Sequence, residues 1–187
     1  MKIQTSPAKL ISDNSSPTES ILKDNYRLGI EALFDTKSDD VISNGTPDHA
    51  ALLFELFFRK AKERVAIFCR NLAQDVFGRD FVIEAARDAL VRGVRIQILV
   101  QDEQPQSQAF SALSAQFQKL AITHARSSKV REIGSNFAVM DSVALRFEPK
   151  RDQCVASACM YAPVRAVELL TSFNQLRMMD SNSVATG

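Results

Sequence analysis

The chain has 187 residues, of which 45% are hydrophobic and 24% charged, with a formal net charge of +1. That length suits one domain with a real core and is too short for two ordinary ones, and the balance is that of a soluble globular protein. Near-neutral charge gives no global attraction to nucleic acid or a membrane surface, and neither a secretory h-region nor an apolar run near the ~18–20 residues of a membrane span is present, so a cytoplasmic location is expected.

Residues 1–46 read as a mobile N-terminal arm. The first twenty are rich in Ser, Thr, Asn and Pro, and Ile21, Leu22, Leu28, Ile30, Leu33 and Phe34 then recur at a loose helical spacing that allows one short helix. The segment carries five Lys/Arg and seven Asp/Glu, which is not the balance of a basic nucleic-acid arm. An α/β domain is expected over 47–178. Thr46 is a good N-cap, Pro47 suits the first helical position, and Leu53, Phe54, Phe57, Phe58 and Ala61 follow at helical spacing. His49 falls in the first turn of that helix and reads as a surface histidine.

"RVAIFCRNL" is a strand apolar on both faces, "RDFVIEAARDALVRG" a helix stopped by Gly93, and "VRIQILVQD" a second strand. Strand, helix and strand in that order form a right-handed βαβ unit, and the domain is expected to hold a mixed, largely parallel sheet flanked by helices. A helix through Phe110, Leu113 and Phe117 comes next, then a short strand around "LAITHA". "REIGSNFAVMDSVALRFEP" and "QCVASACMYAP" contribute three consecutive strands, "VRAVELLTSFNQLRMM" closes the fold as a helix, and 179–187 is a frayed tail.

Cys69, Cys154 and Cys159 are odd in number and sit in apolar stretches, as free buried thiols of a reducing compartment do. With His49 and His124 the only histidines and no CxxC pair, no zinc or other metal site is expected, and no cofactor is implied.

This succession of elements resembles one half of the phospholipase D-like superfamily. The likeness runs from about residue 47 to 178, through "AKERVAIFCRNL", "FVIEAARDALVRGVRIQILVQD", "FAVMD" and "TSFNQL". Active members carry His-x-Lys-x-x-x-x-Asp, in which the histidine attacks phosphorus and the lysine neutralises phosphate oxygens, and two such motifs meet at one site. With the aspartate of that pattern on Asp141, Gly134 stands at the histidine position and Asn136 at the lysine position. Glycine has no nucleophile and asparagine offers a neutral amide. The family's Gly-Ser pair would fall near 148, where the sequence has "FEPKR". The resemblance thus implies the fold without the family's activity. It also implies a homodimer, because single-copy members pair their halves across a two-fold axis.

Two function classes follow. In the first, the domain is a catalytically inactive binding or assembly module for a protein partner or for nucleic-acid backbone, with no membrane role. Between 119 and 151 seven basic residues stand against three acidic ones, a surplus of four, and Arg126, Lys129, Arg131, Lys150 and Arg151 are the candidate phosphate contacts; the alternative reading is a set of solvated loop charges. In the second, a phosphodiesterase or nuclease has a displaced site using His124, at a strand end near Arg126 and Lys129, together with Asp141. Asp141 before Ser142 is equally ordinary turn chemistry.

Overall fold

The computed structural model describes residues 17–103, 107–151 and 155–182. Its elements are α1 (Pro17–Asp35), β1 (Val41–Ser43), α2 (Pro47–Lys60), β2 (Arg64–Cys69), α3 (Gln74–Phe77), α4 (Asp80–Val91), β3 (Arg95–Val100), α5 (Gln108–Ala112) with a 3-10 turn over Leu113–Ala115, β4 (Leu120–His124), α6 (Ser128–Arg131), β5 (Asn136–Met140), β6 (Ala144–Lys150), β7 (Val155–Cys159) and α7 (Pro163–Asn182). No helix among the described residues is long and apolar enough to cross a membrane.

Local chemistry explains the helix boundaries. The Thr46 hydroxyl accepts from the His49 N–H at 3.1 Å, and Pro47 occupies a position where a missing N–H costs nothing. After α4 the chain turns at Gly93, whose φ of +96° a side chain would strain.

The seven strands form one sheet in the order β1-β7-β6-β5-β2-β3-β4. The βαβ unit is as expected: β2 runs parallel to β3, and β3 to β4. The expectation of a largely parallel sheet needs correction, because β5 pairs antiparallel with β2 and with β6, while β7 pairs antiparallel with both β6 and β1. The tight turn at Asp141 and Ser142, both with positive φ, folds β6 back on β5, and antiparallel pairing is what a short connection permits.

The sheet is buried on both faces. Val65, Ile67, Ile96, Ile98, Ala138 and Met140 meet α2 to α5, where Leu53, Phe57, Phe58 and Phe110 are at most 1% exposed. Ala66, Phe68, Leu99, Val139 and Leu145 meet α7 through Ala166 and Phe173. Each fully buried Phe or Leu contributes ~1.5–3 kcal/mol, so the double-sided core carries most of the stability.

The stretch read as an arm with a possible short helix contributes a 19-residue helix and an edge strand. α1 lies on α2 by Ile30, Tyr26, Leu33 and Phe34, and by the ion pairs Arg27–Glu55, Arg59–Glu31 and Lys60–Asp35. Two of these three pairs set acidic residues of α1 against basic residues of α2. Residues 1–16 lie outside the described residues, as does the end of the expected tail; α7 itself continues to Asn182.

Candidate functional site

β2 to β4 end together at Cys69, Val100 and His124, and antiparallel β5 begins there at Asn136. Arg146 and Glu148 of β6 share the α2-facing side with Asn136, since side chains alternate along a strand and Asn136 is paired with Glu148. A cavity of about 330 Å³ opens at this corner. Pro47, Ala50, Phe54, Val76 and Phe77 form an apolar wall, and Arg70, Asn136, Arg146, Glu148 and Arg151 a polar one.

The polar wall is a connected network. Arg146 Nη1 donates to Glu148 Oε2 at 3.0 Å, and Asn136 Nδ2 donates to the same oxygen at 3.1 Å. Arg146 Nε donates to Asn44 Oδ1 at 2.7 Å, and Asn44 Nδ2 donates to the Tyr26 hydroxyl at 2.8 Å. Asn44 is fully buried, while Glu148 is 5% and Arg146 9% exposed. An unpaired charge at such depth is prohibitively costly, so the guanidinium and carboxylate require each other. Asn136 also accepts from the Arg70 N–H through Oδ1, which fixes its amide. Burial pushes the Tyr26 hydroxyl above its usual pKa, against the opposing pull of Asn44 and Arg146.

Cys69 lines the same cavity. Burial pushes its thiol up to about 12, so it is protonated at neutral pH and is a poor nucleophile. Cys159 is a buried free thiol and Cys154 lies outside the described residues.

Among the expected site residues, Gly134 is exposed in the segment before β5, and Asn136 is at the cavity. Asp141 is at the far end of β5. Its carboxylate accepts N–H bonds from Lys62 (2.6 Å), Glu63 (2.9 Å) and Arg64 (2.8 Å), tying the α2–β2 connection to the β5–β6 turn. His124 stands with the cavity end of the sheet, in a separate recess with Glu103, Arg126 and Arg131, and its Nδ1 lies 2.9 Å from the Asp102 carbonyl. His124 and Asp141 are therefore separated by at least the length of β2, roughly 16 Å at ~3.3 Å per residue.

The basic residues gather only in part. Arg126 and Lys129 are exposed, and neither side chain has a partner among the described residues. Arg131 donates to the Ala125 carbonyl and to Glu103, and Arg151 donates to the Arg131 carbonyl at 2.7 Å, which links the His124 recess to the cavity. Lys150 is exposed at the end of β6. Arg146 and Glu148, counted in the sequence among loop charges, are instead the buried pair. They cancel one another and leave the local surplus unchanged. A sequence signal for them did exist: "ALRFEP" puts Arg146 and Glu148 on one strand face and Leu145 and Phe147 on the other.

Solved structures share this architecture. Nuc from Salmonella typhimurium, a phospholipase D family member, matches with TM-score 0.52 and 14% identity over 73% of this chain and 92% of its own. NucT from Helicobacter pylori matches with TM-score 0.53 and 9% identity over 74% and 94%. TrmBL2, an archaeal chromatin protein described with a novel mode of DNA binding, matches with TM-score 0.57 and 13% identity over 87% of this chain and 61% of its own. At such identities the likeness establishes the phospholipase D-like fold. No curated protein matches the chain. A family model covers residues 46–179, from the Thr46 cap almost to the end of α7, and on that match the chain belongs to the family described as a domain of unknown function, DUF7931.

Proposed function

We propose that this chain is a phospholipase D-like domain that does not cleave phosphodiesters and instead holds nucleic-acid backbone, acting as a homodimer. The observation that carries the reading is the Arg146–Glu148–Asn136 network at the cavity, in which Asn136, at the position where the resemblance would require a lysine, is bonded to a buried carboxylate. A carboxylate bonded to a guanidinium and an amide is neither free to attack phosphorus nor a cation for phosphate oxygens. The displaced-site reading is disfavoured because His124 and Asp141 stand at opposite ends of the sheet and Asp141 already accepts three backbone N–H groups.

Binding draws support from the cations of the His124 recess and of α6, which Arg151 joins to the cavity. Arg126 precedes α6, Lys129 and Arg131 lie on it, and Arg151 bonds the Arg131 carbonyl from beyond β6; phosphate neutralisation by such residues carries no sequence preference. The homodimer rests on there being a single half-domain in the chain, and light scattering showing a monomer of 20.8 kDa over a wide concentration range would count against it. The test of the whole reading is incubation with plasmid, single-stranded DNA, RNA and a chromogenic phosphodiester, beside a mobility-shift assay at low salt. The expected result is a shift with no turnover. Turnover abolished by His124→Ala would establish the displaced enzyme instead, and no shift with any nucleic acid would remove the backbone reading.

A further inference from the structure

The buried pair at the cavity is only half satisfied. Arg146 spends Nε on Asn44 and Nη1 on Glu148, and Glu148 takes both of its bonds on Oε2. Arg146 Nη2 and Glu148 Oε1 have no hydrogen-bond partner among the described residues, yet neither is sealed from solvent, and both residues line the cavity. A donor and an acceptor thus remain open on two bonded residues that line one cavity with Pro47, Ala50, Phe54, Val76 and Phe77. Arg151 lies at the same cavity; its guanidinium donates to backbone carbonyls and has no carboxylate partner among the described residues.

We propose that this cavity is a nucleobase pocket, in which an unpaired base buries its ring against the apolar wall, bonds Arg146 Nη2 and Glu148 Oε1 by its Watson–Crick edge, and leaves its phosphate to Arg151. Every base presents an acceptor beside an N–H on that edge, which is the complement of the protein pair. Guanine can set its two adjacent N–H groups on the open Oε1 and its O6 on Nη2, and is the favoured base. At about 330 Å³ the space is at the small end of ligand pockets, suited to one base and not to a base pair. An unpaired base comes from two sources, a free nucleotide or a single strand, and the chemistry at Arg146 and Glu148 is the same for both. The inference deepens the nucleic-acid reading above and rests on it for the strand form of the ligand.

The test measures fluorescence anisotropy with a labelled single-stranded oligonucleotide, the same oligonucleotide with abasic sites, and its duplex, and calorimetry with the four nucleoside monophosphates. The abasic strand keeps every phosphate and removes only the base. Binding of the normal strand about 10-fold tighter than the abasic strand and the duplex is expected, since a hydrogen bond to a charged group of this kind contributes roughly that factor. Ala73→Trp, which fills the cavity from the partly exposed loop before α3 and leaves Arg146 and Glu148 in the sequence, is expected to erase the difference. Glu148→Gln is expected to weaken guanosine monophosphate most. Equal binding of normal and abasic strands, with no monophosphate bound, overturns the base pocket and leaves backbone binding standing. Monophosphates bound with no strand bound uphold the pocket and sink the backbone reading. No binding of strands or of monophosphates overturns both.

Discussion

Arg146 and Glu148 sit two residues apart on β6, with Nη1 and Oε2 separated by 3.0 Å and side chains 11% and 7% exposed. The same alternation that aims them together also turns Leu145 to the opposite core. Glu148→Ala leaves a guanidinium buried without its carboxylate, and we expect a loss of about 3–5 kcal/mol in urea unfolding. A paired apolar replacement, Arg146→Met with Glu148→Leu, is expected to recover most of that loss, because the unpaired charge is then gone as well. A double variant as unstable as Glu148→Ala would show that the network does more than satisfy itself.

Asp141 is expected to act on stability alone. Its carboxylate is the acceptor for three backbone N–H groups of the α2–β2 connection. Asp141→Ala should cost about 1–2 kcal/mol, as three exposed or half-buried N–H groups lose a charged acceptor. His124→Ala, at a half-exposed strand end, should stay within about 1 kcal/mol of the parent protein. Nucleic-acid affinity per folded molecule should be unchanged in both, and loss of binding with either, at unaltered stability, would contradict this division.

The Cys69 thiol, pushed up to about 12 by burial, predicts slow alkylation. In a background with Cys154→Ser and Cys159→Ala, iodoacetamide at pH 8 should modify Cys69 only as fast as the protein unfolds, and quickly in urea. The linkage has a definite sign. The folded value lies above the ordinary 9.0, so the native state holds its proton longer, and this contribution is fully present below pH 9 and is lost between pH 9 and about 12. Rapid alkylation of the folded protein at pH 8 would place the thiol in solvent.

The exposed cations should announce themselves through salt. Arg126 and Lys129 have unengaged side chains among the described residues, so their replacement by alanine should leave the fold intact. If both touch phosphate, the double variant should flatten the slope of log affinity against log salt by about 1–2 units, at roughly 0.7–0.9 per phosphate contact. Arg131→Ala has a different expectation, since its guanidinium donates to the Ala125 carbonyl and to Glu103: a small stability loss should accompany weaker binding. An unchanged slope in the Arg126/Lys129 variant would move the backbone path elsewhere.

Local chemistry in the sequence determined the order of the elements. Thr46 and Pro47 marked a helix start, alternating apolar runs marked β2 and β3, and Gly93 marked a helix end, because caps, periodicity and φ preference act within a few residues. The likeness to phospholipase D-like domains was legible for the same reason, as a succession of such local signals. What the tertiary structure alone decided involves long separations. β5 inserts beside β2 and turns most of the sheet antiparallel; Asp141 serves backbone groups 77 to 79 residues away; Arg146 finds Asn44 across 102 residues. Alternating charges such as Arg146 and Glu148 have the pattern of a solvated strand face. Asn44 and Tyr26, brought in from far earlier in the chain, help close that face into an interior, and at that depth two charges become a pair instead of surface decoration.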